Sequence, residues 1–76
     1  MTNENIILFA KDFLRSEPTV TEWSLQRFLL ERDEVGIALP LDELRAGLDE
    51  GYKNGVFEIV VATDEVGVYR LVGGTK

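Results

Sequence analysis

Leu41 to Val72, LDELRAGLDEGYKNGVFEIVVATDEVGVYRLV, is the stretch whose reading decides the fold. Its first part has the period of a helix. Leu41, Leu44, Leu48 and Tyr52 recur at helical spacing and share one face. Pro40 stands where a first helical turn tolerates it, because the missing N–H would have no partner there anyway. Asp42 and Glu43 in that turn complement the positive end of the helix dipole. Asn54-Gly55 ends the helix, and the period then changes to two. Val56 to Thr63 is rich in β-branched residues, with Phe57, Ile59 and Val61 on one side. Asp64-Glu65-Val66-Gly67 reads as a turn, and Val68 to Val72 as the returning strand. So short a connection predicts an antiparallel hairpin. A lone hairpin is unstable in water, so this one must pack on helices.

Working back toward the N-terminus, those helices are present. Glu22 to Asp33 predicts a second helix with Leu25, Phe28 and Leu29 as its core stripe. Trp23 and Leu30 lie on another line of the same helix, more than a quarter turn away, with Gln26 and Arg27 beside them. This helix therefore carries two apolar stripes. Thr19 and Glu22 have the spacing of a capping box, and Thr21 is an alternative cap. Thr19-Val20-Thr21 is β-branched and reads as a minor strand or an extended lead-in. Before it, Ser16-Glu17-Pro18 stops a first helix running from Glu4 to Arg15, because proline disfavours helical geometry in the residue preceding it. Asn3 is the expected N-cap. Ile6, Ile7, Phe9, Ala10, Phe13 and Leu14 fall on one broad side. Leu8 lands among the charges of the other. Gly36 suits a left-handed position after the second helix. Residues 1–72 are expected to form one domain and 73–76 a flexible tail.

Composition removes several chemistries. The chain has 76 residues, with no Cys and no His. Without them there is no disulfide framework, no Cys/His zinc site, no thiol nucleophile and no imidazole base. Ser16, Thr21 and Ser24 have no base to activate them, so no enzyme is expected. The glycines are scattered at helix ends and turns and form no phosphate loop, so no cofactor is expected either. The acid pairs Asp33-Glu34, Asp42-Glu43, Asp49-Glu50 and Asp64-Glu65 do not follow the spacing of a calcium loop, and no metal is expected. Met1 to Asn5 lacks the cationic start of a signal peptide, and the apolar runs are too short to span a bilayer. A soluble cytoplasmic protein with no membrane partner is the expectation.

The order of helix, short extended segment, helix, helix and hairpin resembles the winged-helix branch of the helix-turn-helix superfamily. The residues that carry the likeness are Thr19 to Leu25 at the second helix, Leu41 to Asn54 as the third, Gly55 to Ile59 opening the first wing strand, and Val68-Tyr69-Arg70-Leu71 as the second. The resemblance implies a small α+β domain of three helices followed by a C-terminal β-hairpin. It also implies DNA binding through the third helix and the wing. Arg27, Arg45, Lys53 and Arg70 would then have to converge on the duplex.

Charge opposes that use. The formal net charge is -6, from eight Lys and Arg against 14 Asp and Glu. Residues 1–32 hold four bases and five acids, whereas residues 33–76 hold four bases and nine acids. The third helix turns Asp42, Glu43, Asp49 and Glu50 outward, and the wing turn adds Asp64 and Glu65. Phosphate recognition needs the opposite sign. These six carboxylates read either as a solvated face or as a docking face for a basic protein, which could extend to a phage-type inhibitor that imitates DNA charge. Trp23 and Leu30 likewise have two readings. Either the second helix is buried on both sides, or Leu8, Trp23, Gln26, Arg27 and Leu30 form an exposed patch for self-association or a partner. The expected function is a non-catalytic protein-interaction or regulatory module, a homodimer or a subunit of a larger assembly. The alternative is a small DNA-binding transcriptional regulator.

Overall fold

In the computed structural model, which describes residues 2–32 and 39–73, the chain opens directly into a helix. This helix, α1 (Asn3–Phe13), is capped by Thr2, whose hydroxyl accepts the Asn5 N–H at 3.2 Å. The cap therefore falls one residue before the expected Asn3. After the break at Pro18, β1 (Val20–Thr21) leads into α2 (Glu22–Arg32). Thr21 and Ser24 form a reciprocal capping box. Thr21 Oγ1 accepts the Ser24 N–H at 3.0 Å, and Ser24 Oγ accepts the Thr21 N–H at 2.9 Å. The alternative cap is the one used, and the Thr19–Glu22 box is not formed, because the Glu22 carboxylate is committed elsewhere. The expected turn at Gly36 lies outside the described residues, as do Asp33 and residues 74–76 of the expected tail.

α3 (Leu41–Lys53) begins after Pro40. It ends in a Schellman motif: Gly55 takes φ 82°, its N–H donates to Tyr52 O at 3.1 Å, and the Val56 N–H donates to Gly51 O at 2.9 Å. The chain then runs straight into β2 (Phe57–Ala62) and returns as β3 (Gly67–Leu71). β3 is the centre of a three-stranded antiparallel sheet, with β1 along one edge and β2 along the other. Val20 pairs with Tyr69 and Thr21 with Val68, so the short extended segment is a true strand. The described residues thus form a small α+β domain of three helices and a C-terminal hairpin.

The core lies between the helices and one face of the sheet. Ile6, Leu25, Leu44, Leu48, Phe57 and Tyr69 are among its fully covered members. Two details differ from the periodic pattern. The inward face of α3 is Leu44, Gly47, Leu48 and Gly51, so Tyr52 is turned out and 48% exposed. Glycine rather than tyrosine faces inward because α1 and the sheet come too close for a side chain. A Cβ on Gly47 would stand 2.6 Å from that of Ile6, and one on Gly51 would stand 2.4 Å from the Phe57 ring. In β2, a bulge between Ile59 and Val61 breaks the alternation. Phe57 is buried and Ile59 half-buried, but Val61 is turned out to solvent.

Candidate functional site

The first turn of α2 separates two different surfaces. On its inner side, Glu22 is 3% exposed. One carboxylate oxygen accepts the Gly67 N–H at 3.0 Å, and the other accepts Arg45 Nη1 at 3.1 Å. The second guanidinium nitrogen of Arg45 donates to Thr63 O at 3.1 Å. Thr63 in turn closes the hairpin turn, its hydroxyl accepting the N–H groups of Glu65 and Val66. One carboxylate and one guanidinium therefore tie α2, α3 and both ends of the turn together. Arg45 Nε, 3.8 Å from Asp49, has no hydrogen-bond partner. Beside this pair, the buried Tyr69 hydroxyl donates to Asp49. Burial pushes the Tyr69 phenol well above its usual value, and the Asp49 hydrogen bond adds to the effect.

The outer side of α2 is apolar and uncovered. Trp23 is 57% exposed and Leu30 47%. The inner stripe of the same helix is closed, with Leu25 and Leu29 buried and Phe28 edge-on to Phe13 at 5.2 Å. Of the two readings of α2, burial on both sides is the one this exposure contradicts. Between Trp23 and Leu30, Arg27 lies 3.5 Å from Glu31. Gln26 has a defined internal role: its amide donates to Leu39 O at 2.7 Å and so seats the entry to α3 against α2.

Leu8 is 61% exposed and belongs to a different surface. It lines a shallow groove of about 750 Å³ with Phe9 and Leu71, and a second of about 310 Å³ with Glu4 and Ile7. Neither groove contains a residue of α2. The described grooves therefore group Leu8 with residues of α1 and β3, and neither includes Trp23 or Leu30.

Three of the six expected acidic residues meet at the opposite end of α3 from Lys53. Asp42, Asp64 and Glu65 surround a cleft of about 250 Å³ with Leu41, Glu22 and Arg45. Because Glu22 and Arg45 neutralise one another, the other three carboxylates set its sign. Asp49 is engaged by Tyr69, while Glu50 is half-buried further along α3. Three of the four candidate DNA-contacting residues are paired with carboxylates of the chain. Arg45 is held by Glu22, Arg27 by Glu31, and Arg70 Nε donates to Glu58 at 2.6 Å. Lys53 is exposed at the last turn of α3. Among the described residues, no three carboxylates are placed to hold a metal ion, and no helix is long and apolar enough to cross a membrane.

Compared with protein-family models, curated proteins and solved structures, the chain matches none.

Sequence reasoning missed Glu22 as a buried acceptor and Tyr69–Asp49 as a pair. A faint signal existed for both. Glu22 follows the β-branched segment that enters the sheet, and Tyr69 is the largest residue of the central strand.

Proposed function

We propose that the protein is a winged-helix-like domain of the cytoplasm that works as a non-catalytic protein-interaction module, docking through the outer face of α2. The observation that carries this reading is the exposure of Trp23 and Leu30 on a helix whose other stripe is already buried. Leaving a tryptophan in water forgoes about 2 kcal/mol of burial, and tryptophan is the side chain most enriched at binding hot spots. The alternative of a DNA reader is less well supported. Arg27, Arg45 and Arg70 are each paired with a carboxylate of the same chain, and DNA would have to displace those carboxylates.

The test compares the wild type with the Trp23→Ala/Leu30→Ala variant. Both are immobilised and exposed to extract of the native host, and both are examined by sedimentation velocity. A partner or self-association present in the wild type and lost in the folded variant supports the reading. Equal behaviour of the two proteins sinks it. A gel shift of bulk duplex DNA that weakens steeply with salt would favour the DNA reader instead.

A further inference from the structure

We infer that the partner of the α2 face is a basic amphipathic helix of another protein, laid along Trp23 and Leu30 with its Lys or Arg end over the acidic cleft. This inference rests on the reading of α2 as an interface and adds the chemistry of the occupant. Two features of the surface specify it.

The first is the apolar line. Trp23 and Leu30 are two turns apart, about 10 Å along the helix axis. That separation matches the repeat of an apolar stripe on a second helix, whose side chains recur every three or four residues. The second is the charge at one end of the line. Glu22, next to Trp23, lines the cleft of Asp42, Asp64 and Glu65. Gln26, one turn further, is bonded to Leu39, two residues before the cleft-lining Leu41. The first residue of the apolar line therefore shares a helical turn with a residue that lines the acidic cleft. Asp64 and Glu65 are exposed at the hairpin turn, which the Thr63 hydroxyl and the Arg45 guanidinium hold in place. The carboxylates thus stand on a fixed support rather than on a loose loop.

Charge complementarity selects among occupants. A second copy of this chain would bring a surface of the same sign against the cleft, with a formal net charge of -6 on each partner. Nucleic acid is repelled for the same reason. A helix carrying Lys or Arg at one end satisfies both the apolar line and the cleft.

The chain has one tryptophan, and it lies at the proposed contact, so its own emission reports occupancy. The probe is a Trp-free, fluorescein-labelled helical peptide of Leu, Ala and Lys, its leucines in one stripe and its lysines at one end. The controls are a scrambled peptide and one with Glu replacing Lys. Binding of the striped peptide with a blue shift of Trp23 emission is the expected result. By anisotropy, Asp42→Asn/Asp64→Asn/Glu65→Gln should weaken it roughly tenfold and flatten its salt dependence. Trp23→Ala/Leu30→Ala should weaken it by roughly a hundredfold. Equal binding of the scrambled peptide, or binding without a change in Trp23 emission, overturns the inference, because charge alone would explain it. Absence of binding also overturns it. In that event the α2 face survives as an interface if capture or self-association still depends on Trp23 and Leu30, and both readings fall if that dependence is missing too.

Discussion

Glu22 and Trp23 are adjacent in the chain and stand about 100° apart around the same helical turn, with hydropathy inverted between them. The carboxylate is 3% exposed and the indole 57%. Each departure has a different cause. Glu22 is buried because two donors meet at its position, the Gly67 N–H at the start of the central strand and the Arg45 guanidinium of α3. An apolar residue there would leave both without an acceptor, which costs more than desolvating one well-paired carboxylate. Among the described residues, no hydrogen bond or ring contact holds Trp23. A charge inside is accounted for by its two donors, whereas a large aromatic outside, on one line with a second apolar residue two turns away, is the feature on which the proposed interface rests. The contrast teaches where to look: the inward exception is explained by the groups around it, and the outward exception is where the proposed function is to be tested.

The sharpest way to break the comparison is at Glu22. Glu22→Ala removes the acceptor of Arg45 and Gly67 together, and a loss of about 3 kcal/mol is expected from urea unfolding. Glu22→Gln keeps an acceptor and should lose clearly less. A near-neutral Glu22→Ala would mean that the inner network is incidental.

Packing on the inner side can be tested at Gly47. Alanine is the better helix former by about 1 kcal/mol, so an open site would gain stability. Here the added methyl meets the β-branched side chain of Ile6 at 2.4–2.9 Å. A net loss of about 1–3 kcal/mol is expected, seen as a lowered thermal midpoint.

Tyr69→Phe should cost about 1 kcal/mol at neutral pH, since one hydrogen bond to Asp49 is removed. It should also change the alkaline limb of stability. The folded protein holds the Tyr69 phenol above its ordinary value. Its contribution is therefore complete below about pH 10, where the unfolded phenol titrates, and is lost as pH rises toward the folded value. Denaturation midpoints of the wild type should fall above that pH, with a smaller slope in Tyr69→Phe.

The smallest stability effect belongs to the outer side. Trp23→Ala/Leu30→Ala should change unfolding free energy by no more than about 1 kcal/mol, because about half of each residue already stands in solvent. The same variant should lose assembly. A large stability loss would show that the face is part of the core and would undo the contrast.

Much of the fold was legible because α1, α2 and the hairpin announce themselves through local periodicity. Leu25 and Leu29 go in, as their stripe requires, whereas the second stripe left burial and exposure of Trp23 and Leu30 both open, and the structure leaves them partly exposed. Val20 joins the sheet as its β-branched setting suggests. The candidate site was legible only in part. Leu8 is exposed as its place among charges predicts, but it belongs to a groove with Phe9 and Leu71 and not to the α2 face. Tyr52 has helical spacing with Leu44 and Leu48, yet Gly51 takes the inward position beside Phe57. Val61 alternates correctly with Ile59 until the bulge turns it out. Arg45, named among the residues that would have to meet a duplex, is an internal clamp between Glu22 and Thr63.

What the sequence determined by itself is whatever depends on near neighbours in the chain. That includes the order of helices and strands, the two stripes of α2, the concentration of acid after Arg32, and the absence of thiol and imidazole chemistry. Only the tertiary structure decided which charged residue is buried, which carboxylates share a cleft and which apolar residue is left uncovered. Those outcomes depend on groups that meet across long stretches of chain, as Glu22 meets Gly67 and Tyr69 meets Asp49. Burial is a property of what stands opposite a residue, and local periodicity carries no record of that.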